Sequence, residues 1–197
     1  MGKTKYIDKI KQLFERSPVV SFSSIERIVW ETNKSSYSKL LIRNLIQKKL
    51  IFRLIRGFYT KHNELSLIVF CFKPAYLGLQ SALSFHNLWE QETIPVIITS
   101  KNVRTGIRDV GGGNVLIKRI DTKYMFGYDY GREGEFYLPY SDIEKTLIDV
   151  IFFKLSLSKD VLTKMKKKTD RKKLNMYLKH YPASFRRKFS KLVFSKD

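Results

Sequence analysis

The stretch that decides the fold is residues 35–60, SSYSKLLIRNLIQKKLIFRLIRGFYT. Its first half carries apolar residues at helical spacing, namely Leu41, Ile42 and Leu45. This spacing predicts a helix that Ser35 or Ser36 caps, that ends near Lys49 and that buries those three side chains. The second half is rich in β-branched and aromatic residues on both sides of Gly57. It predicts two short strands joined by a turn.

The side of this helix opposite its apolar residues carries side chains that suit nucleic acid. At about 100° per residue, six residues lie on that side or beside it: Ser36, Tyr37, Lys39, Leu40, Arg43 and Gln47. Their polar members are of the types that contact base edges and phosphates. The alternative is a solvated face without a ligand.

Two further helices are predicted upstream. Apolar residues recur at helical spacing from Tyr6 to Phe14, and Ser17-Pro18 ends that pattern. Ser23-Ser-Ile-Glu26 has the S-x-x-E form of a capping box, which predicts the start of a short second helix. Glu31-Thr-Asn-Lys34 predicts the turn before the third helix. Three helices followed by a β-hairpin is the order of a winged helix-turn-helix.

This order predicts that residues 1–62 are a DNA-binding domain. In a winged helix-turn-helix the third helix enters the major groove, and basic residues of the wing contact the phosphate backbone. The basic residues in the predicted wing are Arg53, Arg56 and Lys61. A helical protein-interaction module is the alternative for this region.

Positive charge is concentrated at the two ends of the chain. Residues 1–62 carry 14 lysines and arginines against 4 acidic residues, residues 63–155 carry 10 against 11, and residues 156–197 carry 14 against 3. The formal net charge of +20 therefore comes from the ends. Such an excess indicates a polyanionic partner, with nucleic acid as the first candidate and an acidic protein as the second.

The composition also predicts where the protein works. Hydrophobic residues make up 43% of the 197-residue chain, which excludes a disordered basic tail. Cys71 is the single cysteine, as suits a reducing compartment. The apolar run 65–72 is much shorter than the roughly 20 residues that span a bilayer, and the N-terminus lacks the apolar segment of a signal peptide. We expect a soluble cytoplasmic protein with no membrane partner.

Residues 63–197 are predicted to form a second, mixed α/β domain, which makes the fold class α+β. The sequence pattern of residues 73–88 predicts a helix, with Pro74 in its first turn and Asn87 at its C-terminal end. Strand-like runs separated by glycine turns, including Gly131 to Gly134, follow at 94–99, 114–120, 124–128 and 135–138. Ser141 or Asp142 then caps another helix, with Glu144 placed to close a capping box.

Short motifs in this second region resemble a known family. In chain order they are Pro74-Ala-Tyr76-Leu-Gly78, Ser81-Ala-Leu83, His86-Asn-Leu88, Ile94-Pro-Val96, Asp142-Ile-Glu144-Lys145 and Leu147-Ile-Asp149. Together with the preceding winged helix-turn-helix pattern, they resemble the AbiEi family, the antitoxins of type IV toxin–antitoxin or abortive-infection systems. Asn87 stands where that family commonly has glycine and Ile143 where it commonly has proline. Both replacements are tolerated at a helix end and at a first helical turn.

The resemblance covers about residues 1–155 and implies a DNA-binding antitoxin that is not an enzyme. Such a protein binds double-stranded DNA repeats in its own promoter, represses the operon and neutralises a nucleotidyltransferase-like toxin. DNA binding would belong to residues 1–62 and neutralisation to residues 63–197. Homodimer formation or cooperative binding on DNA stays open. The alternative is a winged-helix transcriptional regulator without a toxin partner.

The motif residues also have structural explanations. Lys145 and Asp149 lie one helical turn apart and can pair, Tyr76 suits the core, and Glu144 suits a helix cap. We expect structural roles for the set as a whole, which is Pro74, Tyr76, Ser81, His86, Glu144, Lys145 and Asp149. A contact with the toxin is the alternative.

Catalytic and metal-binding patterns are weak in this sequence. One cysteine and three widely spaced histidines give no metal-ligand spacing. Gly111-Gly-Gly113 precedes Asn-Val rather than the lysine and helix of a phosphate loop. Asp109, Asp121 and Lys123 loosely resemble the Mg²⁺-binding acids and the lysine of restriction-like nucleases. We expect no cofactor, no metal and no enzymatic activity, and a Mg²⁺-dependent nuclease is a further alternative.

The C-terminal block predicts helices with strongly basic faces. These faces carry Lys166, Lys167, Lys168, Arg171, Lys172, Lys173, Arg186, Arg187 and Lys188. They form either a solvated face on helices that pack against the middle region, or a second binding surface. Flanking DNA and an acidic or nucleotide-linked partner are the candidate ligands, and a membrane surface is a weaker one.

Overall fold

The computed structural model describes residues 2–29 and 35–194. The chain divides into two compact units. The first contains the residues up to Cys71 together with Asp109–Asn114, and the second contains Phe72–Arg108 and the residues from Val115 onward. Both units combine helices and strands, so the predicted α+β class is confirmed.

Three helices form most of the first unit. They are α1 (Gly2–Arg16), α2 (Phe22–Val29) and α3 (Ser35–Gln47). Each turns its apolar side into one core, as the sequence periodicity predicted. That core contains Ile10, Phe14, Val20, Ile25, Val29, Leu41, Ile42, Leu45, Ile51 and Tyr59. The burial of these side chains holds the three helices together.

The helix starts in the first unit differ from the predicted caps. Ser21 precedes α2, and its Oγ accepts a hydrogen bond from the backbone N–H of Ser24 at 3.1 Å, so Ser21 is the cap and the predicted Ser23 box is wrong. α3 begins at Ser35, so Ser36 lies within the helix and is not its cap, while the predicted cap at Ser35 stays a prediction. The predicted turn at residues 31–34 lies outside the described residues.

A small antiparallel sheet completes the first unit. Its strands are β1 (Val20–Ser21), β2 (Phe52–Ile55) and β3 (Phe58–Thr60), in the order β1-β3-β2. The predicted β2–β3 hairpin is confirmed, and Gly57 supplies its turn with a φ of 85°, a conformation that favours glycine. A 3-10 helix, Leu65–Phe72, follows the hairpin. Among the described residues, no helix has the length and apolar character needed to cross a membrane.

The second unit contains most of a six-stranded mixed sheet in the order β6-β7-β5-β4-β9-β8, of which the end of β6 and the start of β7 belong to the first unit. The strands are β4 (Ala75–Leu77), β5 (Val96–Thr99), β6 (Gly106–Val110), β7 (Gly113–Arg119), β8 (Tyr128–Glu133) and β9 (Phe136–Ser141). β4 pairs antiparallel with β5 and parallel with β9, while β8 and β9 form an antiparallel hairpin. The central strands β4 and β5 are buried along their whole length, as expected for strands covered on both faces.

Five helices complete the second unit. They are α4 (Gln80–Phe85), α5 (Ile143–Phe152), α6 (Lys159–Lys168), α7 (Arg171–Leu178) and α8 (Ala183–Phe194). Their apolar sides share one core with residues of the sheet, which includes Tyr76, Leu83, Ile98, Leu147, Met165, Leu174, Leu178 and Phe189. The predicted C-terminal helices are therefore present and packed against the core of the second unit.

Three secondary-structure predictions for the second unit are wrong. Residues 73–88 are not one helix, because 75–77 form β4 and only Gln80–Phe85 is helical. Residues 124–128 are not a strand, because Thr122–Tyr124 is a 3-10 turn. Gly131 is not in a turn but lies within β8, where an added Cβ would come within 2.2 Å of the Phe85 ring. In each case packing and strand pairing override the local pattern.

Candidate nucleic-acid interface

The outer face of α3 presents polar side chains to solvent, as the sequence predicted. Ser36, Lys39, Arg43 and Gln47 are exposed, and together they follow one side of the helix. Tyr37 differs, because it is half-buried and its ring meets the edge of Tyr6 at a centroid distance of 6.2 Å. We define the exposed residues Ser36, Lys39, Arg43 and Gln47 as the α3 face.

Two more exposed residues on α3 and its end were missed by the sequence analysis. Asn44 follows Leu40 by one turn, and Lys48 follows Asn44 by one turn. With Leu40, which is 52% exposed, they line a groove of about 370 Å³ between α3 and α1. Continuing the helical period from Leu40 would have identified both residues. Asn44 adds an amide of the kind that makes paired hydrogen bonds to adenine.

The β2–β3 hairpin is held in a fixed position beside the start of α2. The backbone N–H of Phe22 donates to the carbonyl oxygen of Gly57 at the hairpin turn, over 2.8 Å. The buried Thr60 hydroxyl donates to the carbonyl oxygen of Pro18 at 2.7 Å. Arg53 and Arg56 project from this anchored hairpin and are exposed. The hairpin therefore presents two guanidinium groups on an ordered support.

Lys61, the third predicted wing residue, has a partner within the unit. Its Nζ lies 2.7 Å from Oε2 of Glu15 on α1. The hydrogen bond from Lys61 and its charge lower the pKa of Glu15, so the carboxylate stays ionised and offsets the lysine. In the described part of the chain, no ion pair involves Lys39, Arg43, Arg53 or Arg56. These four cations are therefore available to bind an anionic ligand, whereas Glu15 neutralises the charge of Lys61.

The motif residues of the second unit converge on a buried ionic cluster. The pairing predicted for Lys145 and Asp149 is confirmed, and both side chains are fully buried. The Tyr76 hydroxyl donates to the second carboxylate oxygen of Asp149 at 2.7 Å. The Lys145 ammonium also lies 5.3 Å from the centroid of the Tyr76 ring and 5.6 Å from that of Phe126. Because water is excluded, burial lowers the pKa of Lys145 and raises those of Asp149 and Tyr76.

A second group of bonds ties the start of α5 to α7. Asp142 caps α5 by accepting the backbone N–H of Lys145 at 2.7 Å, and its other oxygen accepts from Lys173 and from the Tyr177 hydroxyl. Glu144 does not close the predicted capping box; instead it accepts the backbone N–H of Asp170, where α7 begins, at 2.8 Å. Burial opposes the positive charge of Lys173, but the hydrogen bond and charge of Asp142 raise its pKa overall.

The remaining family-motif residues make smaller structural contacts. Ser81 accepts the backbone N–H of Val96 at 2.8 Å, which ties α4 to β5. His86 Nε2 lies 2.8 Å from the carbonyl oxygen of Ser141 at the end of β9. Pro74 is exposed and precedes β4, so its predicted place in a helical first turn is wrong. Apart from Pro74, these motif residues hold elements of the second unit together.

The residues of the nuclease alternative have ordinary local roles. Asp121 caps the 3-10 turn at Thr122–Tyr124 and lies 3.5 Å from the ammonium of Lys123. Asp109 is exposed at the end of β6. Within residues 2–29 and 35–194, no group of three or more histidine, cysteine, aspartate or glutamate side chains is arranged to hold a metal ion.

The basic residues of the C-terminal helices differ in what they contact. Lys173 is tied to Asp142 and Glu144, and Lys168 Nζ donates to the carbonyl oxygen of His86 at 3.1 Å. Arg171 lies 5.7 Å from the centroid of the Phe194 ring. The other predicted members of this surface are exposed or half-exposed: Lys166, Lys167, Lys172, Arg186, Arg187 and Lys188.

Comparison with known proteins adds a structural similarity. No family model and no curated protein matches the chain. Among solved structures, it is similar to the RV2827C protein of Mycobacterium tuberculosis, with a TM-score of 0.62 and 14% sequence identity. The match covers 96% of this chain and 76% of that one. What the two proteins share is the fold. At this identity, the similarity supports the mixed α and β architecture and assigns no function.

Proposed function

We propose that this protein is a DNA-binding autorepressor and an antitoxin of the AbiEi type. In this proposal the first unit is a winged helix-turn-helix, α3 is its recognition helix and the β2–β3 hairpin is its wing. The second unit neutralises a nucleotidyltransferase-like toxin. The observation that carries the proposal is the α3 face, where exposed Lys39 and Arg43 have no ion-pair partner among the described residues.

The element order of the first unit supports the winged-helix part of the proposal. It runs α1, β1, α2, α3, β2, β3, and β1 adds to the edge of the hairpin sheet. Winged-helix proteins place their third helix in the major groove and contact the backbone with the wing. Here the third helix has side chains that suit base contacts, and the hairpin carries Arg53 and Arg56. Positive charge on both elements favours a duplex with phosphates on each side of the groove.

The motif geometry supports the antitoxin part. Tyr76 is far in sequence from Lys145 and Asp149, yet its hydroxyl bonds to Asp149, which also pairs with Lys145, in one buried cluster. Ser81 and His86 tie the neighbouring elements α4, β5 and β9. The motifs that resemble the AbiEi family therefore belong to one connected structure, as expected for a shared domain.

The DNA-binding part is tested by titrating the full chain against its own upstream region. A shuffled duplex of equal length and composition is the control, and both are measured at two salt concentrations. We expect binding to the upstream region to be tighter by about 10³-fold or more and to persist at the higher salt. Equal affinity for both duplexes, with equal loss in salt, would contradict a specific repressor.

The antitoxin part predicts that a nucleotidyltransferase gene neighbours the gene of this chain, and the growth of cells that express both genes tests it. The nucleotidyltransferase gene is expressed with or without this chain, each from an unrelated promoter, so that repression plays no part. We expect growth arrest by the toxin alone and rescue by the parent and by Arg43→Ala, because Arg43 belongs to the DNA interface. Arrest that persists with the parent present would exclude the antitoxin role and leave the transcriptional regulator.

A further inference from the structure

The C-terminal helices carry a concentration of positive charge that the first-unit interface does not use. Residues 156–194 contain 13 lysines and arginines and 2 acidic residues. Six of the exposed cations lie on α6, α7, α8 and the turn after α7: Lys167, Lys172, Lys179, Arg186, Arg187 and Lys188. We call these six residues the C-terminal cationic surface.

The acidic residues of this segment are engaged elsewhere and do not neutralise the surface. Asp160 pairs with Lys164 at 2.9 Å. Asp170 caps α7, where its Oδ1 accepts the backbone N–H groups of Lys172 and Lys173. In the described residues, none of the six cations forms an ion pair. Their mutual repulsion is therefore relieved by counterions or by a polyanion.

The surface is held on an ordered support. Met165 of α6, Leu174 and Leu178 of α7 and Phe189 of α8 are buried in the core of the second unit. The helices that carry the six cations are consequently held in place by this packing. A ligand then meets positioned charges, and less conformational entropy is lost on binding than with a disordered basic tail.

The residue types favour nucleic acid over an acidic protein. Lysine, which supplies four of the six cations, is depleted in protein–protein interfaces but is a common ligand for backbone phosphates. Three large apolar residues, Met176, Leu192 and Phe194, are exposed on these helices, and single exposed apolar residues are common on protein surfaces. We propose that the C-terminal cationic surface binds the phosphate backbone of double-stranded DNA without reading its sequence. This inference does not depend on the α3 face.

Charge-neutralised variants of the full chain test this proposal. The α8 variant is Arg186→Gln, Arg187→Gln, Lys188→Gln, and a second variant is Lys167→Gln, Lys172→Gln, Lys179→Gln. The control is Lys101→Gln, Arg104→Gln, Lys154→Gln, which removes three exposed cations elsewhere in the second unit that form no ion pair among the described residues. Thermal unfolding is followed for each variant, so that only folded protein is compared. The probe is an end-labelled random-sequence duplex, titrated between about 50 and 200 mM salt.

We expect each test variant to reduce the slope of log affinity against log salt by about 2.7, because each lost phosphate contact removes about 0.9. Between about 50 and 200 mM salt, the factor by which the affinity of the parent falls is then about 40 times the factor for the variant. The control should keep the slope of the parent. A test variant that matches the control would overturn the proposal, and an acidic protein partner would become the better explanation.

The same titrations separate this inference from the proposed function. If Arg43→Ala loses discrimination between upstream and shuffled duplexes while both test variants bind like the control, DNA binds to the first unit and not to the C-terminal cationic surface, and the present inference fails. If the test variants lose affinity for the random duplex and the parent shows no preference for its upstream region, this inference holds and the specific repressor fails.

Discussion

The outer face of α3 and the inner face of α5 carry charged residues in opposite environments. Arg43 on α3 is exposed and has no ion-pair partner among the described residues. Lys145 on α5 is fully buried, pairs with Asp149 and lies 5.3 and 5.6 Å from the centroids of two aromatic rings. The first arrangement leaves charge available for a ligand, whereas the second uses charge to connect parts of one core. Whether a charged side chain can bind a ligand or stabilises the core depends on its exposure and its ion-pair partner, and not on its residue type.

The strongest test of the buried half of this comparison is Asp149→Ala. The substitution leaves the Lys145 ammonium buried without its carboxylate and removes the acceptor of the Tyr76 hydroxyl. We expect the free energy of unfolding to fall by about 3–5 kcal/mol, measured by urea denaturation. The matched control replaces the whole cluster by Tyr76→Phe, Lys145→Met and Asp149→Leu, and it should recover most of the loss. A loss below about 1 kcal/mol for Asp149→Ala would contradict a tightly coupled buried pair.

Tyr76→Phe should lower the free energy of unfolding by less than Asp149→Ala does. This substitution keeps the ring and removes only the hydrogen bond to Asp149. A buried hydrogen bond to a charged group contributes about 1.5–3 kcal/mol. Tyr137→Phe is the control, because that tyrosine is 61% exposed and a surface change of this kind stays within about 0.5 kcal/mol. Equal unfolding midpoints for the two variants would show that the hydroxyl of Tyr76 has no structural role.

On the exposed half, Arg43→Ala should alter binding and leave folding unchanged. If Arg43 makes a paired contact with a base, its loss reduces the preference for the upstream duplex by about 1–3 kcal/mol, roughly 5- to 150-fold. Competition between upstream and shuffled duplexes measures that preference directly. Unchanged preference would remove Arg43 from the base-contacting set.

Arg53→Gln and Arg56→Gln should weaken binding to all duplexes alike. Each lost phosphate contact lowers the salt slope of log affinity by about 0.9. Lys61→Gln offers a comparison within the same region, since Lys61 is already paired with Glu15, and its slope should change less. A larger effect at Lys61 than at the arginines would place the phosphates nearer to α1 than the winged-helix arrangement predicts.

The smallest expected effect is a change in folding stability at alkaline pH. Burial and the hydrogen bond to Asp142 raise the pKa of Tyr177 from 10.0 to about 12. The folded protein thus keeps a proton that the unfolded chain loses, so this contribution to stability is complete below about pH 10 and disappears as the pH rises to about 12. In the Tyr177→Phe variant, the unfolding midpoint should fall less steeply than in the parent as the pH rises from about 10 to about 12. Because Tyr177 is partly exposed, the difference should stay below about 1 kcal/mol, and an unchanged fall would contradict the coupling to Asp142.

Local pattern predicted the first unit well and the second unit less well. The α1 and α3 helices, the Gly57 turn and the buried face of α3 all follow from periodicity within short segments. β4 was missed, because Ala75–Leu77 is a strand only through its pairing with β5 and β9, which come from distant parts of the sequence. Non-local pairing leaves little trace in a single segment.

The candidate sites also contain residues whose contacts the local sequence could predict and residues whose contacts it could not. The exposed polar residues of α3 could be predicted from helical geometry, and so could the pairing of Lys145 with Asp149 one turn later. The hydrogen bond from Tyr76 to Asp149 could not, because it joins residues 73 positions apart. The partner of Glu144 was also unpredictable, since the backbone of Asp170 reaches it only after α7 has packed on α5.

The most direct test of the central claim is cleavage of DNA from a reagent attached to α3. Cys71 is buried, so Gln47→Cys provides a single exposed thiol for an iron chelate that cuts nearby DNA. With the α3 face in the major groove, cleavage of the upstream duplex should fall at defined positions inside the protected sequence. Protection of that sequence by the labelled protein without any cleavage within it would show that DNA binds elsewhere on the molecule.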